Sequence, residues 1–206
     1  MDIVKRRNFI KGSAALALGT AAAPLFAQSV KKSQPSDLFI IGPKEGFTPA
    51  IGTLVSMMNW TRKITTVWID SLKKEELDYL MDEKANSIGA LVLHIIVQEK
   101  ECQVRTFSWD RAKVFDEKDK LVSKLGDNTR QSIKGNDVHY YLDALSEVRE
   151  KTLSELKKRD DSWLMEVDND HPWGNPVNNY CDWFHVVEHE CQHAGQIALI
   201  KNRLPK

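Results

Sequence analysis

The decisive stretch runs from Trp183 to Leu204, WFHVVEHECQHAGQIALIKNRL. Phe184, Val187, Ile197 and Ile200 are spaced for one face of a helix, and no strand alternation interrupts them. Asn178-Asn179 ahead of it offers a cap and Pro205 behind it a stop, so a helix is predicted over about 179–203. Along that helix Cys181, His185, His189 and His193 stand four residues apart on one slowly drifting stripe. Two imidazoles at i and i+4 lie close enough to bind one metal ion.

Three more helices are read outward from this one. Thr48-Pro49 starts the first, over about 49–73, with Ile51, Leu54, Val55, Met58, Thr65, Trp68, Ile69 and Leu72 at three- and four-residue spacing. Asn86-Ser87 caps the second, over about 87–107, and Asn136-Asp137 the third, over about 137–159. The expected fold is therefore an all-α four-helix bundle over 48–206. The 28 residues from Ser108 to Gly135 are long enough to cross the bundle, since about ten extended residues span a helix of this length. Helices two and three can then run parallel. Residues 28–47 read as a linker with a short extended piece at Leu38–Ile41.

Two ligands on one helix do not complete a metal site. His94 is the best third, because it interrupts the apolar run Leu91, Val92, Leu93, Ile95, Ile96, Val97, and a buried imidazole needs a partner. A core histidine satisfied by a neighbour is the alternative for His94. His139, near a helix start, and His171, in a loop, are weaker candidates. His189-Glu190-Cys191-Gln192-His193 also spells the zinc-protease string HExxH. Only thirteen residues follow it and no HxxGxxH extension exists, so a protease is not expected. Glu190 lies about 100° around the helix from His189. It is expected to face solvent or to sit behind a ligand rather than act as a general base.

Two segments resemble the DinB-like family. LMDEKANSIGALVLHIIVQEKE is similar to its second helix, with Ser87-Ile88-Gly89, His94 and Glu99 in the matching places. The stretch quoted first is similar to its last helix, with His189, His193 and Gly195-Gln196-Ile197. The opening helix fits as well, so the resemblance spans about 47–204. It implies an up-down-down-up bundle, a homodimer, and a divalent metal (Zn, Ni, Fe or Mn) held by His94, His189 and His193, with water in the open positions. Relatives include transferases and isomerases that use small thiols such as mycothiol or bacillithiol, and others described as metal-dependent hydrolases. A hydrolase type of unknown substrate is the first expectation. A thiol-dependent transferase or isomerase is the second, and a non-catalytic metal-binding or stress-associated bundle the third. Where the family often has His-Arg around the last ligand, Gln192 and Ala194 flank His193 here.

The first thirty residues read as an address. Lys5-Arg6-Arg7 precedes a mild apolar stretch from about Gly12 to Phe26 and small residues near Ala27, a layout resembling a twin-arginine signal over 1–27. An exported, periplasmic protein is expected, with an uncleaved membrane anchor as the alternative. Lys+Arg and Asp+Glu are both 29, and losing Lys5, Arg6, Arg7, Lys11 and Asp2 leaves 25 and 28, a net charge of −3. That balance argues against a nucleic-acid partner. Three cysteines are too few for a disulfide scaffold. If helices two and four are antiparallel, Cys102 and Cys181 lie level, either bridged or as two ordinary buried thiols, and Cys191 points away from the histidines.

Overall fold

Pro49 lacks an amide hydrogen and its fixed φ suits a first helical turn, so the first long helix begins there. The computed structural model describes residues 37–205; the signal expected at 1–27 and residues 28–36 of the linker lie outside the described residues. A 3-10 turn at Asp37–Phe39, where an extended piece was expected, precedes α1 (Pro49–Ile69), the short α2 (Lys74–Leu77) and α3 (Ile88–Thr106). The crossover folds into α4 (Arg111–Val114), α5 (Glu117–Val122) and α6 (Asp127–Ser132). Then come α7 (Val138–Leu156), α8 (Asp161–Leu164), the strands β1 (Val167–Asp168) and β2 (Val177–Asn178), and α9 (Asn179–Lys201). The strands pair antiparallel as a small hairpin.

The cap residues explain most helix starts. Ser87, Asp137 and Asn178 accept from the amides of Ala90, Tyr140 and Cys181. Thr48 makes no such bond. Its place is taken by Asp161 of α8, which accepts from the Ala50 and Ile51 amides at 3.1 and 3.3 Å. The start of α1 is thus capped from 110 residues away.

The pairings along the long helices give the course of the chain. Gly89 faces Tyr141, and Gln103 donates to Thr152 at 2.8 Å, so α3 and α7 run parallel. Arg105 pairs with Asp182 and the histidines meet mid-helix, so α3 and α9 run antiparallel. Arg62 reaches Glu190 and Lys201 reaches the Trp68 carbonyl, so α1 and α9 run parallel. This is the expected up-down-down-up bundle. A Cβ on Gly89 would stand 2.2 Å from the Tyr141 hydroxyl, so only glycine lets these two helices approach there.

The core falls into two apolar clusters. One gathers Ile88, Leu91, Val92, Ile95 and Ile96 of α3 with Tyr141, Leu145, Val148, Ile197 and Ile200. The other gathers Ile51, Leu54 and Met58 with Phe107, Trp163 and Trp183. Between them along every long helix sits a buried charge cluster. Arg62 of α1 donates to Glu190 at 2.7 Å and to Glu99 at 2.8 Å. Arg149 of α7 donates to Glu99 at 2.8 Å and to Glu190 at 3.2 Å. Thr152 donates to Glu99 at 2.6 Å, and Arg149 also donates to the Met58 carbonyl. No helix among the described residues is long and apolar enough to cross a membrane.

Burial alone would push the Glu99 carboxyl up, but the Arg149 and Arg62 guanidiniums and the bonds from Arg149 and Thr152 hold it at about 2. A carboxyl depressed in the fold contributes stability above its unfolded pKa, about 4.3, and loses it as the pH falls toward 2. Glu99→Gln is expected to cost about 3–5 kcal/mol in urea unfolding at pH 7, because two guanidiniums lose a buried partner. The loss should shrink between pH 4.5 and 2; a cost under about 1 kcal/mol at pH 7 would show that the cluster carries little.

Candidate metal centre

His94 sits mid-way along α3, and His189 and His193 sit one turn apart on α9. Antiparallel packing brings them face to face. The His94 ring lies 5.0 Å from each of the other two, and those two lie 4.4 Å apart. One ligand nitrogen from each falls within 4.8 Å of the others. The Nε2 atoms of His189 and His193 are 3.2 Å apart. Two nitrogens bound to one ion at about 2.1 Å stand roughly 3.0–3.4 Å apart, so this spacing suits a shared cation.

The outer nitrogens decide which way the rings present themselves. His94 Nδ1 lies 2.9 Å from the Val122 carbonyl, which can only accept, so Nδ1 carries the hydrogen and Nε2 is left as a ligand. His193 Nδ1 lies 2.8 Å from Gln196 Oε1, one turn on, with the same result. Val122 closes α5, within the crossover, so the segment expected to be a plain connection supplies an orienting group.

Electrostatics keeps all three imidazoles neutral. Burial lowers His94, and His193 opposes its charge further, while the Val122 bond pulls the other way. Burial, then the charges of His193, His94 and His185, take His189 down to about 3. Burial also lowers His193, against the Gln196 bond. Neutral imidazoles with free Nε2 lone pairs are the form a metal needs. The donor set therefore fits a divalent ion, with three protein ligands leaving positions open.

The other candidates fall elsewhere. His185 packs against His189 at 5.4 Å and holds Glu188 at 2.8 Å, beside the cluster rather than in it. His139 is exposed at the start of α7. His171 is buried in the hairpin loop, 3.5 Å from Asp182. Glu190 corrects the expectation of a solvated group: it is fully buried and paired to Arg62 and Arg149. The cysteines correct another. All three are free; Cys102 is buried, but Cys181 and Cys191 are exposed. Burial pushes the Cys102 thiol well up, so it is no thiolate nucleophile.

The spacing on α9 identified the histidines. It did not find Gln196 or Val122 as their partners, nor Arg62 and Arg149 as the groups that take Glu190. Arg149 carried one signal, since it follows Val148 and lies four residues beyond Leu145 on the apolar stripe.

A family model described as mycothiol-S-transferase matches residues 53–205. A crystal structure of a DinB-like protein from Bacillus cereus ATCC 10987 is similar to this fold, with a TM-score of 0.57 and 15% identity, over 73% of this chain and 90% of that one. No curated protein matches the sequence significantly.

Two-bond 1H–15N spectra of metal-free protein at pH 5 should show His189 neutral. A protonated His189 at that pH would mean that the rings are not packed together as described.

Proposed function

We propose, from the premise that the chain belongs to the mycothiol-S-transferase family and has the fold of a DinB-like protein, that it is a metal-dependent thiol S-transferase. The observation that carries this reading is the convergence of three neutral imidazoles beside a glutamate already committed to arginines. His94, His189 and His193 would hold the ion, of Zn, Ni, Fe or Mn type. A divalent ion held there would supply Lewis acidity, lowering the pKa of a thiol so that its sulfur is nucleophilic near neutral pH. The chain's own residues orient the rings through Val122 and Gln196 and keep them unprotonated. In the transfer, sulfur bonds to an electrophilic carbon, the leaving group departs with its electron pair, and the thiol proton passes to solvent.

Hydrolysis receives less support. Activation of water by a carboxylate base would fall to Glu190, the HExxH glutamate, and both of its oxygens accept from Arg62 or Arg149. Export directed by residues 1–27, and a homodimer in solution, belong to the same proposal. The intact mass of the secreted chain tests the first, and light scattering tests the second.

Elemental analysis of protein purified without chelator or His tag should give near one divalent ion per chain, lost in His94→Ala/His189→Ala. The loaded protein should accelerate addition of mycothiol, or of cysteine as a substitute, to monochlorobimane. One ion per chain with no thiol consumed would leave a non-catalytic metal-binding bundle. No ion after reconstitution at neutral pH would reduce the histidines to core residues.

A further inference from the structure

Trp173 stands out because it is large, apolar and 44% exposed, yet firmly held. It sits at the tip of the hairpin loop between β1 and β2. Its amide donates to His171 Nδ1 at 3.3 Å, and the following Gly174, at φ +73°, closes the turn through a 2.9 Å bond to the His171 carbonyl. His171 is itself only 4% exposed, and its Nε2 lies 3.5 Å from Asp182 of α9. Asp182 is gripped by Arg105 of α3. The loop thus lies against α9, whose Asp182 is in turn tied to α3.

The indole stands between two imidazoles. It meets His171 edge-on at 4.6 Å and His185 edge-on at 5.1 Å. The His185 ring in turn lies 5.4 Å from His189. An unbroken line of rings therefore leads from a candidate metal ligand to an exposed indole. A rigid aromatic surface beside an open polar site carries little ordering cost when a ligand packs on it. A tryptophan serving only to cover His171 would not leave so much of its own ring in water.

We propose that Trp173, with the His185 ring beside it, forms an aromatic wall at the mouth of the centre. It would select ligands that carry an apolar or aromatic group a few atoms from their metal-binding donor. This rests on His94, His189 and His193 being the metal ligands. It makes the preferred electrophile or thiol conjugate an aromatic or apolar one, and it makes Trp173 a specificity-determining residue.

The test is calorimetric titration of the metal-loaded full chain with benzohydroxamate and acetohydroxamate, two probes with the same chelating head. Metal content is measured on the same samples. The wild-type chain should bind the aromatic probe about 3- to 10-fold more tightly, the worth of one aromatic contact. Trp173→Ala should abolish that preference while leaving acetohydroxamate affinity and metal content unchanged, and Trp173→Phe should keep most of it. A preference that survives Trp173→Ala, or equal affinities in the wild-type chain, would overturn the proposal with the metal reading intact. No metal in any sample would overturn the metal reading, and this proposal with it.

Discussion

Everything in this bundle is tied to the charge cluster at its centre. Each long helix contributes one member: Arg62 from α1, Glu99 from α3, Arg149 from α7 and Glu190 from α9. Two cations meet two anions, so the cluster is neutral. Its remaining donors are spent on the carbonyls of Leu145 and Met58 and its remaining acceptors on Thr152. Such a cluster is a poor source of net stability, because desolvation consumes most of the attraction. It is a strong constraint on geometry. Sliding one helix by a turn, about 5.4 Å, would strand at least one buried charge among Val, Leu and Ile. The apolar clusters on either side would accept several registers; the charges accept one.

That register is what the histidines inherit. Glu190 follows His189 directly, and Glu99 lies five residues beyond His94. Fixing the two glutamates against the same pair of arginines fixes the level of α3 against α9. The three rings then meet with no contact of their own needed to choose the alignment. Fine positioning is left to local groups. The Val122 carbonyl sits at the end of α5, where a helix leaves its last carbonyls short of partners, and it takes the His94 hydrogen. Gln196 does the same for His193 from one turn away. The charge cluster places the backbones, and these two bonds turn the rings.

What could be read in the sequence follows from what leaves a periodic trace. The four long helices and the caps Ser87, Asp137 and Asn178 are local, so they were legible, as was the histidine stripe. The length of the crossover pointed correctly to parallel α3 and α7. Its division into α4, α5 and α6 was hidden, because these helices last one or two turns and their charged residues mask the few that are buried. Thr48 stands where a local cap would, while the group that accepts the amides arrives from Asp161, far along the chain. Arg62 and Arg149 are obscure in the sequence for a different reason. A charge on a helix usually marks solvent; Arg149 lies on an apolar stripe, but only the partner helices reveal what these two charges meet. Trp173 depends on a hairpin held by two residues per strand, too short to announce itself.

The string HExxH shows how far position can outrun sequence. On an isolated helix His189 and His193 share a face and Glu190 stands about 100° away. In a zinc protease that offset is used to bring the glutamate to the reacting water. Here α9 is turned so that its histidines look toward α3 and the end of α5, and the same offset drives Glu190 into the bundle axis. There it meets Arg62 and Arg149, which donate to both of its oxygens. A carboxylate so engaged is held in the bundle axis by the contacts that keep four helices in register. The letters that supply a base in a protease therefore supply a strut here, and the two histidines are what this helix offers to a ligand.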